Sequence, residues 1–165
     1  MFTLSGTRYT VLAPRHGASL VHFTENKKMI VEPYVMFGGK CAQAYAYYQE
    51  HLGATDPMIM PFRGTPAEAG TPPDWLDKAM HASIKFGGHT VMGSDGIPGH
   101  PFSPMQGCSL TISIDSDAEA ERIFKALSEG GNVTMPMAQT FFASRFGSVT
   151  DQFGVSWMVI HEGAR

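Results

Sequence analysis

Cysteine, charge and long apolar runs are what this sequence has little of, and each shortage excludes something. There are two cysteines, Cys41 and Cys108, with no CxxC and no metal-type spacing. That rules out a disulfide framework or a zinc ribbon and predicts reduced, buried thiols in a cytoplasmic protein. Charged residues make up 16% of the chain, the net charge is −3, and no block of like charges occurs. Neither nucleic acid nor an anionic membrane surface is therefore expected as a partner. No apolar stretch approaches the about 18 residues of a membrane span. The first 28 residues lack a long apolar core and an A-x-A cleavage site, so they read as an N-terminal extension rather than a secretory leader. No Gly-rich turn of the dinucleotide type is present, and Gly38-Gly39-Lys40 lacks both the upstream glycine and the following Ser/Thr of a phosphate loop. No cofactor is expected.

What is present is a regular alternation of strands and helices from Met29 onward. "EPYVMF" reads as a short strand. "GGKCAQAYAYYQEHLGA" reads as a helix, with Ala44, Tyr45, Tyr48 and Leu52 at three- and four-residue intervals and Gly53 at its stop. "MIMPFR" reads as a strand at an edge or bulge because of Pro61. "AMHASIKFGGHTVMGSD" reads as a hairpin about Gly87-Gly88. Two Pro/Gly-rich loops, "GTPAEAGTPPDWLDK" and "GIPGHPFSPMQG", flank it. The order then repeats: strand "CSLTISID", helix "SDAEAERIFKALSEGG" capped by Ser116 or Asp117, and strands "NVTMPM", "ASRFGSVTD" and "VSWMVIH". A shift of 76 lays Ala42-Gln43-Ala44 on Ala118-Glu119-Ala120, and a shift of 66 lays Met92 on Met158. The fold class is thus α+β: two βαβββ modules, residues 29–100 and 101–165, with curved antiparallel sheets enclosing a cavity.

The segments "EPYVMFGGKCAQAYAYYQEHLGA", "MHASIKFGGHTVMGSD", "CSLTISIDSDAEAERIFKALSEGGNVTMPM" and "FGSVTDQFGVSWMV" resemble the vicinal oxygen chelate superfamily, which includes glyoxalases, bleomycin-resistance proteins and extradiol dioxygenases. The likeness is to its PhnB-like branch. The resemblance implies U-shaped sheets around a cavity, helices on the convex side, and a homodimer. It also implies where a metal would bind: one side chain from the first and last strand of each module, at Pro33, Met92, Ser109 and Met158. None of these is a good ligand for a divalent metal. Proline has no side-chain donor, a serine hydroxyl is weak, and a thioether suits copper(I) rather than zinc or nickel. No metal is expected there. PhnB-like chains also carry a ubiquinone-type methyltransferase label, for which the sequence offers no nucleotide-binding turn.

Strand alternation predicts the cavity wall. Val35 and Phe37, Met92 and Ser94, Ser109, Thr111 and Ser113, and Met158 are expected to face inward, with Leu110, Ile112 and Ile114 packing under the second helix. Phe62, Met135, Phe141, Phe142, Arg145 and Phe146 are expected to close it. Such a lining suits a modest organic ligand, aromatic or anionic. His81 alternates with Ser83 and Lys85 and is the candidate for a proton carrier or a displaced metal ligand. His89 and His161 read as solvated, and Trp157 as core. Three functions follow: metal-independent binding of a small molecule in the sheet cavity, a metal-dependent lyase, isomerase or dioxygenase with a displaced site near His81, or a structural or regulatory dimer with a vestigial pocket.

Overall fold

The computed structural model describes residues 29–163, so the expected extension, residues 1–28, lies outside the described residues. Val31–Arg165 forms one compact unit. Its first module runs β1 (Tyr34–Met36), α1 (Cys41–Leu52), β2 (Thr55–Pro61), β3 (Ala79–Phe86) and β4 (His89–Ser94); its second runs β5 (Leu110–Ser113), α2 (Asp117–Ser128), β6 (Asn132–Ala138), β7 (Arg145–Thr150) and β8 (Ser156–His161). Each module makes one four-stranded sheet, in the orders β1-β4-β3-β2 and β5-β8-β7-β6.

Two details differ from the expectation. The sheets are mixed, because β1 pairs parallel to β4 and β5 parallel to β8. A helix intervenes after β1 and after β5, and such a crossover is what lets a strand run parallel to a later one. Nor do the sheets close on each other, since no strand pairing joins them.

Both helices form for reasons visible in their residues. α1 buries Cys41, Ala44, Tyr45 and Tyr48 on one face and stops at Gly53, whose φ of 70° is left-handed and whose N–H bonds to Tyr48 O. In α2, Ser116 accepts the Glu119 N–H as N-cap, acidic residues fill the first turn, and Ala120, Ile123, Phe124 and Leu127 are buried. The covered faces of both sheets and both helices share one core, where Tyr48 meets Phe153 and Trp157 edge-on at 5.8 and 5.5 Å. The modules thus turn their covered faces toward one another through this core, and the other face of each sheet is left open.

Two buried carboxylates hold the connections. Asp95, following β4, accepts the N–H groups of Gly39 (2.9 Å), Cys41 (2.8 Å) and Ala79 (2.8 Å) and so caps α1 in place of Lys40. Asp151 accepts Phe153 and Val155 N–H in its own turn, and also Tyr48 Oη at 2.6 Å and Trp157 Nε1 at 2.8 Å.

Candidate functional site

The open faces are built from the strand register. In the first sheet Tyr34, Met92, Ser83 and Met58 lie in one cross-strand row, with Met60 opposite His81 and Met36 opposite Ser94 in the next. In the second sheet the equivalent row is Thr111, Met158, Ser148 and Met135. A Met-Ser-Met sequence across three strands therefore recurs in both modules. Much of this apolar surface is uncovered: Met36 is 49% exposed and Met135 48%. His81 Nδ1 is 3.1 Å from Tyr34 Oη, which orients the ring, and among the described residues no carboxylate is bonded to it.

A cleft of about 570 Å³ opens at one end of the first sheet. Met36, Phe62, Trp75, Ile97 and Phe102 supply its apolar wall, and Ser94, Asp95 and His100 its polar atoms. Ser94 Oγ donates to Ala79 O and accepts the Gly96 N–H, so it is already satisfied. A second groove, of about 520 Å³, runs between the modules past Leu52, Phe86, Ile112 and Trp157.

The expected site residues fall into two groups that the single chain does not bring together. His81, Met92 and Ser94 belong to the first sheet, and of these Ser94 lines the cleft, together with Phe62. Thr111 and Met158 pair on the second sheet, and Phe142 meets Phe146 at 5.2 Å and Phe141 at 5.0 Å.

Several placements are corrected. Val35 and Phe37 are 3% and 1% exposed and pack on the covered face, with Phe37 edge-on to Tyr45; Tyr34 and Met36 take the open side. Pro33 and Ser109 lie outside β1 and β5, so the residues beside Met92 and Met158 are Tyr34 and Thr111, and Ser109 instead bonds Ser156 at 2.8 Å. Arg145 shares the covered face with Gly147 and Val149 and pairs with Glu121 (2.6 Å) and Asp117 (3.2 Å) on α2. Among the described residues no guanidinium lines the cleft. His161 is not solvated: its Nδ1 is 2.6 Å from Asp117 Oδ1 and 3.0 Å from Ser144 Oγ. The hydrogen bonds from Ser144 and His161, with Arg145 near, hold the Asp117 carboxyl below its ordinary range. Serine and aspartate meet the same ring nitrogen, so this trio lacks the relay order of a nucleophilic triad.

Trp75, Phe102 and Tyr34 were not singled out by pattern. The first two are aromatic residues on Pro/Gly-rich loops, where large rings lack a core to fill, and that was the available signal.

Neither thiol is built as a nucleophile. Burial, then the nearby Asp95, pushes Cys41 up to about 12. Cys108 is exposed and unpaired. A disulfide reagent should titrate one thiol in the native protein and two after unfolding. Rapid reaction of both thiols in the folded state would contradict the burial of Cys41.

Comparison with known proteins adds the family context. A family model described as 3-demethylubiquinone-9 3-methyltransferase matches residues 28–160. Protein YjdN of Escherichia coli K12 is 34% identical over 139 residues, covering 79% of this chain and 94% of YjdN. The crystal structure of PA1353 from Pseudomonas aeruginosa is similar with a TM-score of 0.74 at 44% identity, covering 83% of this chain and all of that one. A Bacillus cereus structure, described as a putative 3-demethylubiquinone-9 3-methyltransferase, PhnB protein, has a TM-score of 0.66 at 22% identity and covers 81% of this chain and 99% of its own. A glyoxalase/bleomycin resistance protein/dioxygenase family enzyme of Burkholderia phytofirmans shares the fold, with a TM-score of 0.50 at 10% identity over 80% of this chain and 95% of that one.

Proposed function

Because this chain belongs to the PhnB-like family of the vicinal oxygen chelate superfamily, we propose that it binds a small organic molecule on its open sheet faces without a chelated divalent metal. The observation that carries the reading is the donor set. The strand register sets Tyr34 beside Met92 and Thr111 beside Met158, the pairs that stand next to the positions the resemblance implies. Two thioethers, a phenol and a hydroxyl do not fit zinc, nickel or manganese, which take imidazole, thiolate or carboxylate. Among the described residues no three His, Cys, Asp or Glu side chains converge where a metal ion could be held.

The methyltransferase description of the family does not enter the proposal. At β1 to α1, where Gly38-Gly39 precede a helix, the N–H groups of Gly39 and Cys41 are taken by Asp95, so this helix N-terminus already holds a carboxylate; that excludes a phosphate there and does not bear on a methyl donor, which carries none.

The binding cavity is completed by a second copy of the chain in this reading. One chain exposes two apolar sheet faces that share the Met-Ser-Met row, and self-complementary faces suit a two-fold dimer. The free thiols, Cys41 and Cys108, suit the cytoplasm, and among the described residues no helix is long and apolar enough to cross a membrane.

The test starts from protein stripped with a chelator and offered zinc, nickel, manganese and ferrous iron in equilibrium dialysis. Substoichiometric uptake is expected, together with a dimer mass by light scattering and a melting temperature raised by small organic molecules. Stoichiometric metal lost in His81→Ala would shift the assignment to a metalloenzyme with a displaced site. A protein with no binder in a broad thermal screen would instead be a structural or regulatory dimer.

A further inference from the structure

We infer that the cleft at the end of the first sheet selects an uncharged aromatic molecule, held between Trp75 and Phe102 with His100 as its polar contact. This rests on the binding reading above and narrows it, since composition alone left aromatic and anionic ligands equally open.

Charge decides against an anion. Arg145, the cation expected in the site, is committed to Glu121 and Asp117 on the other module. Lys78 is not part of the cleft lining and donates to Gly39 O at 2.8 Å. Arg63 is paired with Asp77 through two bonds. A cationic ligand has no better partner. The Asp95 carboxylate accepts three backbone N–H groups and is 4% exposed. Two side-chain donors are also spent: Ser94 Oγ on Ala79 O, and Trp75 Nε1 on Gly96 O at 3.3 Å. The His100 imidazole and the Ser103 hydroxyl line the cleft without a side-chain hydrogen-bond partner among the described residues. An imidazole and a hydroxyl set in an apolar wall match a phenol or a similar ring with one polar substituent.

Shape favours a ring. Phe62, Trp75 and Phe102 approach from β2's end and from two separate loops, and aromatic rings gain from edge and offset contacts with one another. Phe102 is seated by Gly38. A Cβ on Gly38 would come within 2.6 Å of Phe102 Cγ, and its φ of +58° is left-handed. Gly38 is therefore a positioning residue: it leaves the space in which the Phe102 ring lies flat on the backbone.

The probe pair is 2-naphthol and 2-naphthoate, the same ring system with and without a charge, measured by calorimetry at pH 8 on the full chain. The expected result is saturable 2-naphthol binding, with 2-naphthoate at least about tenfold weaker. Trp75→Leu and Phe102→Leu should each weaken 2-naphthol by about tenfold or more while the melting temperature stays near wild type. Trp75 fluorescence should be quenched, whereas Trp157, 2% exposed, should not respond. Equal binding of the two probes would overturn the selectivity. Binding unaffected by Trp75→Leu and Phe102→Leu but lost in His81→Ala would overturn the cleft and leave the sheet-face reading intact. Binders in the broad thermal screen without 2-naphthol among them would overturn the aromatic assignment alone, and no binders at all would overturn both.

Discussion

Asp151→Ala is expected to lower the unfolding free energy by about 3–5 kcal/mol, the cost of removing one partner from a buried charged network. The carboxylate is 5% exposed and every group around it is a donor. Oδ1 takes the N–H of Phe153 at 2.9 Å and of Val155 at 3.0 Å; Oδ2 takes the Tyr48 phenol at 2.6 Å and the Trp157 indole at 2.8 Å. Alanine would leave all four without an acceptor, and a buried donor left unmade costs about 1–3 kcal/mol. Tyr48 lies on α1, so this residue also ties the first module to the second. Burial, and then Asp151, pushes the Tyr48 phenol well above its ordinary range, which keeps it a donor. Tyr48→Phe removes one of the four bonds and should cost about 1.5–3 kcal/mol, the net worth of a hydrogen bond to a charged group. Urea unfolding followed by circular dichroism measures both. An Asp151→Ala variant within 1 kcal/mol of wild type would refute the network.

This residue also marks how far the sequence could be read. "DQFG" is visible as a turn, but nothing in it shows that the carboxylate reaches Tyr48, 103 positions earlier. The same holds for Asp95, whose partners Gly39 and Cys41 are 56 and 54 positions away. Secondary structure was legible because periodicity is local. Ala44, Tyr45 and Tyr48 recur at helical spacing and are all buried. The β5 strand alternates Leu, Thr, Ile and Ser, and Leu110, Ile112 and Ile114 do pack against the core. The β1 strand offers no such contrast. Tyr34, Val35, Met36 and Phe37 are all apolar, so alternation could not say which pair is covered. Arg145 was misread for a related reason. Its ion partners sit on α2, and only the folded chain places that helix over the covered face of β7. The resemblance implied Pro33 and Ser109 as the partners of Met92 and Met158, and the strand register sets Tyr34 and Thr111 beside them instead. The chemical conclusion is unchanged, because a phenol and a hydroxyl replace groups that were equally poor ligands.

The two faces of β1 should separate cleanly in a pair of variants. Phe37→Ala is expected to destabilise by about 3–5 kcal/mol, the range for deleting a core phenylalanine and leaving a cavity. The ring is 1% exposed, edge-on to Tyr45, and lies so close to Gly93 that a Cβ there would come within 2.7 Å of it. Its space is thus bounded by backbone as well as side chains, and collapse around the cavity is limited. Met36→Ala removes a side chain that is 49% exposed and lines the cleft. Its stability cost should stay within about 0.5 kcal/mol, as for most surface substitutions, while ligand affinity falls. Urea melts alongside 2-naphthol calorimetry separate these outcomes. If Met36→Ala unfolded the protein and Phe37→Ala left it intact, the assignment of faces on β1 would be inverted, and with it the placement of Met92 and His81 on the open side. The parallel pairing of β1 with β4 is what makes the inference transitive: Tyr34 beside Met92 and Met36 beside Ser94 fix one side of both strands together. A single exchange of faces on β1 would therefore carry the whole first sheet with it, which is why this pair of substitutions tests the site and not only the strand.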